Sequence, residues 1–399
     1  MKIHENKITF SMEIEDIFAK SEPIDYETLR EDARYEICSG ECLRSFYEKT
    51  LEDFYGVCKY RYNAGYRLYN YHVMNGNHFA TYYKGNELLH VYWIECESEL
   101  NVVSSDTGGA SLPFPRMVSG NRFVPSVTQL KSDKNNGMGY VVQLYDGSFI
   151  IYDGGYRCHA ESLWSLLVER NGSDEGIVIR AWVMTHAHKD HYPCFSCFSE
   201  NYANRVTLET FMMSPINAEE ASDTYLNEEV FDDVKNFENT KILYVHTGML
   251  FNYGEIGLEI LFTADELFIA ESPTVNGINN SQIDFNETSI VSRVFTSRSR
   301  CLFLGDAYSK EAYRMIAYYG KYLRSDMCQM SHHGLEEFPL IAYRYIKAAT
   351  LFYPCSRTTY TREGKESMRF ENVRKALRES KHTKEIILHD QANEIRYLE

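Results

Sequence analysis

Three short runs of this 399-residue chain concentrate side chains that bind metal ions. The first run places three imidazoles and one carboxylate within six positions: His186, His188, Asp190 and His191. Two later runs return a carboxylate and a pair of imidazoles: Asp306, then His332 and His333. Imidazole nitrogens and carboxylate oxygens are common ligands of divalent cations. The pattern predicts a site that holds two metal ions and activates a water molecule between them.

The first run follows the apolar stretch Ile177–Met184, which is predicted to be a buried strand. On extended backbone His186 and His188 point to the same side, and the turn that follows aims Asp190 and His191 at a neighbouring position. We therefore expect the first pair to bind one metal ion and the second pair to bind the other. The alternative is a polar loop in which histidines gather by chance.

The second run places Asp306 directly after Gly305 at the end of the predicted strand Cys301–Leu304. Glycine allows a sharp departure from a sheet, so the carboxylate is expected to project from the carboxyl end of the strand. Because a carboxylate has two oxygens, we assign Asp306 as a bridging ligand of both metal ions. Its alternative role is to cap the helix predicted from Ser309.

The third run also follows a short buried strand, and we expect its backbone to be extended. Neighbouring side chains then point in opposite senses, so one histidine would bind metal and the other would meet the substrate or leaving group. We assign His333 as the metal ligand and His332 as the substrate contact, with a surface histidine pair as the alternative. Asp190 is assigned a second, catalytic role in steering the proton of the nucleophile. Asp153, which ends an earlier strand, is expected to orient a metal-bound histidine through a hydrogen bond.

These runs resemble the HxHxDH signature and the later Asp and His motifs of the metallo-β-lactamase superfamily. The segments Asn286–Val291, Cys301–Ala307 and His332–Gly334 are particularly similar to the hydrolase domain of bacterial DNA-uptake channel proteins and to phosphorylcholine esterases. The resemblance covers roughly residues 127 to 399. It implies a four-layered αββα sandwich with a dinuclear site at one edge of the two sheets, and it favours hydrolysis of a phosphoester or phosphodiester.

The expected cofactors are two divalent metal ions. Zinc is the first choice, and manganese or iron also suits a His and carboxylate set without thiolate. Many members of the superfamily supply a further histidine between the first run and the bridging Asp. Here only His246 lies in that interval, at a predicted strand end, and we do not assign it as a ligand.

Periodicity along the chain predicts two domains, residues 1–124 and 125–399. The first is predicted as an α+β module with a helix over Cys42–Tyr55 and an antiparallel meander. Its histidines after the amino terminus, at positions 72, 78 and 90, are interpreted as structural. The Gly- and Pro-containing stretch Asp106–Pro115 is the predicted linker. In the second domain, strands alternate with helices after an early hairpin around Asp146-Gly147, which indicates a layered α/β sandwich.

The formal net charge of −16 argues against extended binding to nucleic acid or to anionic lipid, because neutralising phosphates requires clustered Lys and Arg. It is compatible with a small or modest-sized anionic substrate, since metal ions reverse the local potential in a cleft. No run of 18 apolar residues occurs, so no membrane span is expected. Scattered cysteines and the acidic amino terminus lead us to expect a cytoplasmic protein without a signal peptide.

Three functions remain open at this stage. The first is a dinuclear metal-dependent phosphodiesterase or phosphoesterase. The second is a hydrolase of lactones, amides or thioesters, because a metal-bound hydroxide also attacks a carbonyl carbon. The third is a catalytically silent binding module on the same fold. The first domain could cover the site, limit substrate size or mediate self-association.

Overall fold

The computed structural model describes residues 20–38, 40–214, 227–267, 285–335, 338–361, 368–390 and 393–398. The described residues form two compact units, with the boundary between Ala110 and Ser111. Among these residues, no helix has both the length and the hydrophobicity needed to cross a bilayer.

The first unit is built around a six-stranded antiparallel sheet in the order β1-β2-β6-β5-β4-β3. Its strands are β1 (Ala33–Cys38), β2 (Glu41–Phe46), β3 (Arg67–Met74), β4 (Asn77–Lys84), β5 (Glu87–Ile94) and β6 (Glu99–Ser105). The predicted meander is therefore confirmed as β3 to β6. Asn75 and Gly76 both have positive φ in the tight turn between β3 and β4, as a two-residue hairpin requires.

The helix predicted over Cys42–Tyr55 is wrong in its first half, which is strand β2. Side chains of β2 alternate between buried and partly buried, which is the period of a strand against a core. The observed helix spans Leu51–Asn63 and begins where Thr50 and Asp53 form a capping box. Its residues Phe54 and Val57 are fully buried in the core on one face of the sheet.

The second unit contains two sheets. The first sheet has the order β13-β12-β10-β9-β8-β7-β21, with β11 paired to β10, and the second has the order β14-β15-β16-β17-β18-β19-β20. The strands of the first sheet are β7 (Ser126–Gln129), β8 (Gly139–Gln143), β9 (Phe149–Asp153), β10 (Ile177–Val183), β11 (Val206–Leu208), β12 (Thr210–Met213), β13 (Lys241–Tyr244) and β21 (Glu394–Tyr397). Those of the second are β14 (Leu250–Tyr253), β15 (Ile256–Phe262), β16 (Val291–Phe295), β17 (Arg300–Phe303), β18 (Met327–Gln329), β19 (Thr350–Tyr353) and β20 (Glu385–Leu388).

The two sheets face each other through aromatic side chains. The rings of Tyr152 on β9 and Phe303 on β17 stack with centroids 3.9 Å apart, and Ser292 on β16 donates a hydrogen bond to the Tyr152 hydroxyl. Arg293, the next residue along β16, must point away from the first sheet because side chains alternate along a strand. Its guanidinium donates to the carbonyl of Tyr322, so the segment after the helix Ser309–Tyr319 covers the outer face of the second sheet.

Helices also cover the outer face of the first sheet. The helices Ala160–Asn171 and Pro193–Tyr202 place Leu163, Leu167, Phe195 and Phe198 in one core with Trp182 and Phe211 of the sheet. The remaining helices of this unit span Asn227–Val234, Leu340–Ile346, Arg357–Tyr360 and Met368–Arg378, and the short helix Gly108–Ser111 lies at the boundary between the two units. The second unit is thus a four-layered αββα sandwich, which confirms the predicted fold class.

The central strands run parallel within each sheet: β9 with β10 in the first, and β17 with β18 in the second. Carboxyl ends of parallel neighbours lie at the same edge of a sheet. The two edges meet where the amide of Ile290, before β16, donates to the carbonyl of Thr185, after β10. The three predicted runs all follow strands that end at this edge.

Candidate metal centre

Asp153, at the end of β9, organises the loop that carries the first run. Its carboxylate accepts hydrogen bonds from the amide and the hydroxyl of Thr185, each at 2.7 Å. Its Oδ2 also lies 2.7 Å from Nδ1 of His191, and both side chains are fully buried. A carboxylate only accepts, so His191 donates from Nδ1 and presents Nε2 to the centre. This is the orienting role that the sequence predicts for Asp153.

Asp306 lies at the middle of the cluster. Four imidazole Nε2 atoms surround its Oδ2: those of His191 at 3.2 Å, His333 at 3.4 Å, His186 at 3.8 Å and His332 at 3.8 Å. Its other oxygen, Oδ1, is buried and has no hydrogen-bond partner in the described part of the chain. A buried carboxylate oxygen without a donor is costly unless a cation or another donor faces it.

Gly305 is what allows Asp306 to reach this position. Its φ is +56°, and a Cβ there would lie 2.8 Å from the Cβ of Ser289. Ser289 in turn accepts a hydrogen bond from the Asp306 amide at 3.0 Å. Only glycine fits such a left-handed residue packed against a neighbouring chain segment, as the sequence-based argument expects.

The two other imidazoles of the first run lie beside Asp306. Nε2 of His186 is 2.9 Å from Nδ1 of His188, so these two rings point to a common position. Burial lowers the pKa of both residues, and the nearby His191 lowers it further. His186 is buried, whereas His188 is half-buried. Neutral imidazole is the form that binds a metal ion.

Asp190 faces the opposite side of the cluster. Its Oδ2 lies 3.0 Å from Nε2 of His333 and accepts a hydrogen bond of 2.5 Å from Nδ2 of Asn136. Burial alone would raise the pKa of Asp190, but His333 and His191 hold it below its ordinary value. Asp190 therefore carries negative charge in the centre at neutral pH.

The backbone of His332 and His333 is not extended, so the prediction of an extended backbone there is wrong. Both residues have left-handed φ angles, 44° and 58°, inside the short turn Ser331–Gly334. The turn directs both rings toward Asp306 instead of to opposite sides. They still differ in exposure: the side chain of His333 is fully buried, and that of His332 is 20% exposed.

His333 directs its Nε2 toward the centre. Its Nδ1 lies 3.1 Å from the carbonyl oxygen of Pro354, an acceptor, and 3.5 Å from the amide nitrogen of Gly137, a donor, so the shorter contact favours a proton on Nδ1. Burial lowers the pKa of His333, but Asp306 and Asp190 outweigh it and raise the value to about 9. Burial also opposes protonation of His191, and Asp306 and Asp153 raise its pKa well above the ordinary value. Both shifts reflect the concentration of negative charge at the centre.

Two groups of side chains at this centre could each hold a cation: His186, His191 and Asp306 form one, and Asp190, His191 and His333 form the other. Within each group the ligand atoms lie within 4.8 Å of one another. His188 joins the first group through its contact with His186. The fold thus brings all six predicted metal ligands together, with His332 next to them. The donor set of imidazoles and carboxylates and the unpartnered Oδ1 of Asp306 fit divalent cations.

His246 is engaged elsewhere. Its Nδ1 lies 2.9 Å from Oδ2 of Asp265, in a buried network that includes Thr263. It belongs to neither group of candidate ligands at the centre, as far as the described residues show.

Sequence reasoning missed several residues that support the centre. Gln329 ties the ends of β17 and β18 together: its Oε1 accepts from the Leu304 amide at 2.7 Å, and its Nε2 donates to the Gly305 carbonyl at 2.9 Å. Asn136 and Ser289 contact Asp190 and Asp306 directly. These are common polar residues at isolated positions, so no spacing pattern marks them. The one available signal was the turn-forming pair Asn136-Gly137 before β8.

No protein-family model and no curated protein matches the chain. Solved structures with a similar arrangement include a metallo-β-lactamase with a HARLDQ motif from Cronobacter sakazakii, with 13% identity, 67% of this chain and 94% of that chain covered, and a TM-score of 0.34. Another is a metal-dependent hydrolase of the β-lactamase superfamily, with 12% identity, 68% and 98% coverage, and a TM-score of 0.40. A third is CmlA, a diiron β-hydroxylase from Streptomyces venezuelae, with 11% identity, 69% and 55% coverage, and a TM-score of 0.40. The reaction of this chain must therefore be argued from its own residues.

Proposed function

We propose that this chain is a metal-dependent hydrolase with a dinuclear centre, and that it acts on a phosphoester or phosphodiester. The observation that carries the proposal is the convergence of three distant runs on one carboxylate, with four imidazole Nε2 atoms 3.2 to 3.8 Å from Oδ2 of Asp306. A surface loop or a helix cap would not gather this set at the edge of two sheets.

Six residues would hold the two cations: His186, His188, Asp190, His191, Asp306 and His333. Zinc is the first choice, with manganese or iron as alternatives for this nitrogen and oxygen donor set. Such a pair of cations, when bound, lowers the pKa of a bound water and offsets charge that develops on phosphoryl oxygens. The residues themselves provide preorganisation, because Asp153 and the Pro354 carbonyl hold the rings of His191 and His333 through their Nδ1 atoms.

His332 is proposed to contact the substrate. Its ring lies beside the ring of Tyr308, with centroids 5.4 Å apart, and its side chain is the more exposed of the histidine pair. Burial lowers the pKa of His332 although Asp306 acts in the opposite direction. A neutral imidazole there can donate a hydrogen bond to a phosphoryl oxygen or assist the leaving group. Asp190 is proposed to steer the proton of the attacking water.

The preference for a phosphoester over an acyl compound comes from the motif resemblance, and a substrate comparison tests it. Purified chain is assayed with bis(p-nitrophenyl) phosphate, p-nitrophenyl acetate and a simple lactone, before and after chelation and after addition of Zn²⁺ or Mn²⁺. We expect turnover of the phosphodiester that disappears on chelation and returns with metal. Metal-dependent turnover of only the acyl compounds would identify an acyl hydrolase instead.

Metal analysis of the same preparation tests the silent alternative. A functional centre predicts close to two equivalents of metal per chain after reloading. Substoichiometric metal that cannot be restored, together with no hydrolysis of any ester, would support a binding module. Replacement of the exposed histidine His382 by Asn is a matched control that should leave both measurements unchanged.

A further inference from the structure

The segment between β7 and β8, residues 132–138, forms an arm that reaches the Asp190 side of the centre. It is anchored at its start, where the Ser132 amide donates to the His389 carbonyl at 2.8 Å and the Ser132 hydroxyl lies 2.9 Å from Nε2 of His159. Nε2 of His389 lies 2.9 Å from the carbonyl oxygen of Lys134. At its far end the Met138 amide donates to the Asp190 carbonyl at 3.0 Å. The arm is therefore held at both ends.

The arm presents the side chain of Asn136 to the carboxylate of Asp190. Nδ2 of Asn136 donates to Oδ2 of Asp190 at 2.5 Å, and the Tyr156 hydroxyl donates to Oδ1 of Asn136 at 2.9 Å. An ionised carboxylate can only accept, which decides the orientation of the amide. Tyr156 then holds that orientation from the other side.

Gly137 lets the arm approach this closely. Its φ is +130°, and a Cβ there would lie 3.2 Å from the Tyr156 ring and 3.5 Å from the Asp190 carbonyl oxygen. Asn136 is also joined to Cys355 by an isolated β-bridge, so its backbone has little freedom. The close packing and the bridge together place the amide of Asn136 at a defined position.

We propose that Asn136 is a positioning residue that fixes the Asp190 carboxylate for metal binding, with Tyr156 as its support. This inference rests on the proposed function, because it concerns one of the two cation positions. With Oδ2 restrained by Asn136, the carboxylate has one preferred rotamer before any cation arrives. The amide suits this task, since it is a neutral donor: it restrains a carboxylate without adding a positive charge that would repel a cation.

The test measures metal affinity and not turnover. Metal-free wild-type chain, Asn136→Leu and Tyr156→Phe are titrated with Zn²⁺ by calorimetry, and with Co²⁺ while its visible absorption is followed. We expect Asn136→Leu to weaken one of the two equivalents by about 10- to 100-fold and to leave the other unchanged, as is usual when a partner of a ligand is removed. Tyr156→Phe should weaken the same equivalent less and change the same Co²⁺ bands.

Asn135→Leu is the matched control, because Asn135 is an exposed residue of the same arm whose carbonyl, rather than its side chain, accepts from Ser356. It should bind both equivalents as the wild type does. Unchanged affinity in Asn136→Leu, or an equal loss in Asn135→Leu, would overturn the positioning role. If Asn136→Leu does not fold, Tyr156→Phe decides, since it removes a single oxygen. Wild-type chain that binds no metal overturns the proposed function itself and this inference with it, whereas normal wild-type binding with an unaffected Asn136→Leu overturns this inference alone.

Discussion

The two units of this molecule use histidine in different ways. In the first unit, His72, His78 and His90 lie on three neighbouring strands of one sheet. His78 contacts the hydroxyl of Tyr71 at 2.7 Å and packs against the rings of Phe54 and Trp93. In the second unit, the histidines of the three runs lie in loops after strands and converge on carboxylates.

The pKa shifts express this difference. Burial among uncharged groups lowers the pKa of His78 to about 4. Burial acts in the same direction on His333, but Asp306 and Asp190 reverse it and raise the pKa to about 9. A buried histidine therefore indicates a functional site only when carboxylates share that site. Close spacing of His and Asp after predicted strands is a useful sign of such a site, because it brings both residue types to one edge of a sheet.

The largest expected effect is that of Asp306→Asn. The substitution keeps the size of the side chain but removes the charge that four imidazoles surround, so both cation positions should weaken. We expect hydrolysis to fall by roughly 10³-fold or more and metal content to fall well below two equivalents. Steady-state kinetics and metal analysis measure this. Near-normal hydrolysis and metal content in the variant would show that Asp306 does not bind metal and is structural, as the histidines of the first unit are.

Metal removal should lower the stability of the second unit and leave that of the first unit unchanged. Cations that bind only the folded second unit stabilise it by about 4 kcal/mol when free metal exceeds the dissociation constant 1,000-fold. We expect chelation to lower the unfolding temperature of that unit and reloading to restore it. Hydrogen exchange followed by mass spectrometry can report both units at once. Equal destabilisation of β3 to β6 of the first unit would contradict this.

Glu311 provides a carboxylate counterpart to Asp306. It is fully buried, and burial raises its pKa to about 7, whereas imidazoles hold the pKa of Asp306 well below the ordinary value despite burial. The pKa of Glu311 in the folded chain exceeds its pKa in the unfolded chain. Its contribution to the free energy of unfolding is therefore complete below about pH 4.5 and is lost as the pH rises through about 7.

Glu311→Gln should remove that pH dependence. We expect the variant to be more stable than the wild type at pH 8, on the order of 2 kcal/mol, and similar near pH 4.5. Urea unfolding at the two pH values measures the difference. An equal difference between the two proteins at both pH values would mean that Glu311 does not titrate in this window.

The smallest expected effect concerns His78. Its folded pKa lies below the unfolded value, so its contribution to stability is present above about pH 6.5 and is lost as the pH falls toward about 4. In His78→Phe that loss should shrink by an amount on the order of 1 kcal/mol, since the side chain is only partly buried. Urea unfolding of both proteins at pH 7 and pH 5 gives the comparison. Reduced metal content in this variant would contradict the distinction between structural histidines in the first unit and metal-binding histidines in the second.

The local sequence pattern determined many of the strands and turns of this protein. Short runs rich in Tyr, Val and Thr predicted the meander β3 to β6, and turn residues marked its hairpins. The apolar strand predicted over Ile177–Met184, observed as Ile177–Val183, and the strand that ends before Gly305 were also predicted, and with them the loops that carry the candidate ligands. These features depend on neighbours in the chain, so they can be read from it. The first half of the helix predicted over Cys42–Tyr55 was wrong because Leu43 and Phe46 of β2 are apolar at a spacing that also suits a helix, and the pairing of β2 with β1 and β6 distinguishes the two.

Tertiary structure decided which side chains meet. The left-handed turn at His332 and His333 turns both rings toward Asp306, a direction that extended backbone would not give. Asn136 contacts Asp190 across 54 residues, and the Pro354 carbonyl contacts Nδ1 of His333 from 21 residues away. These two contacts depend on which strands lie close together within one sheet, whereas the contact of His191 with Asp306 depends on how the two sheets are placed against each other. The residue types and their order therefore specified the chemistry that was available, and the packing of the two sheets determined its geometry.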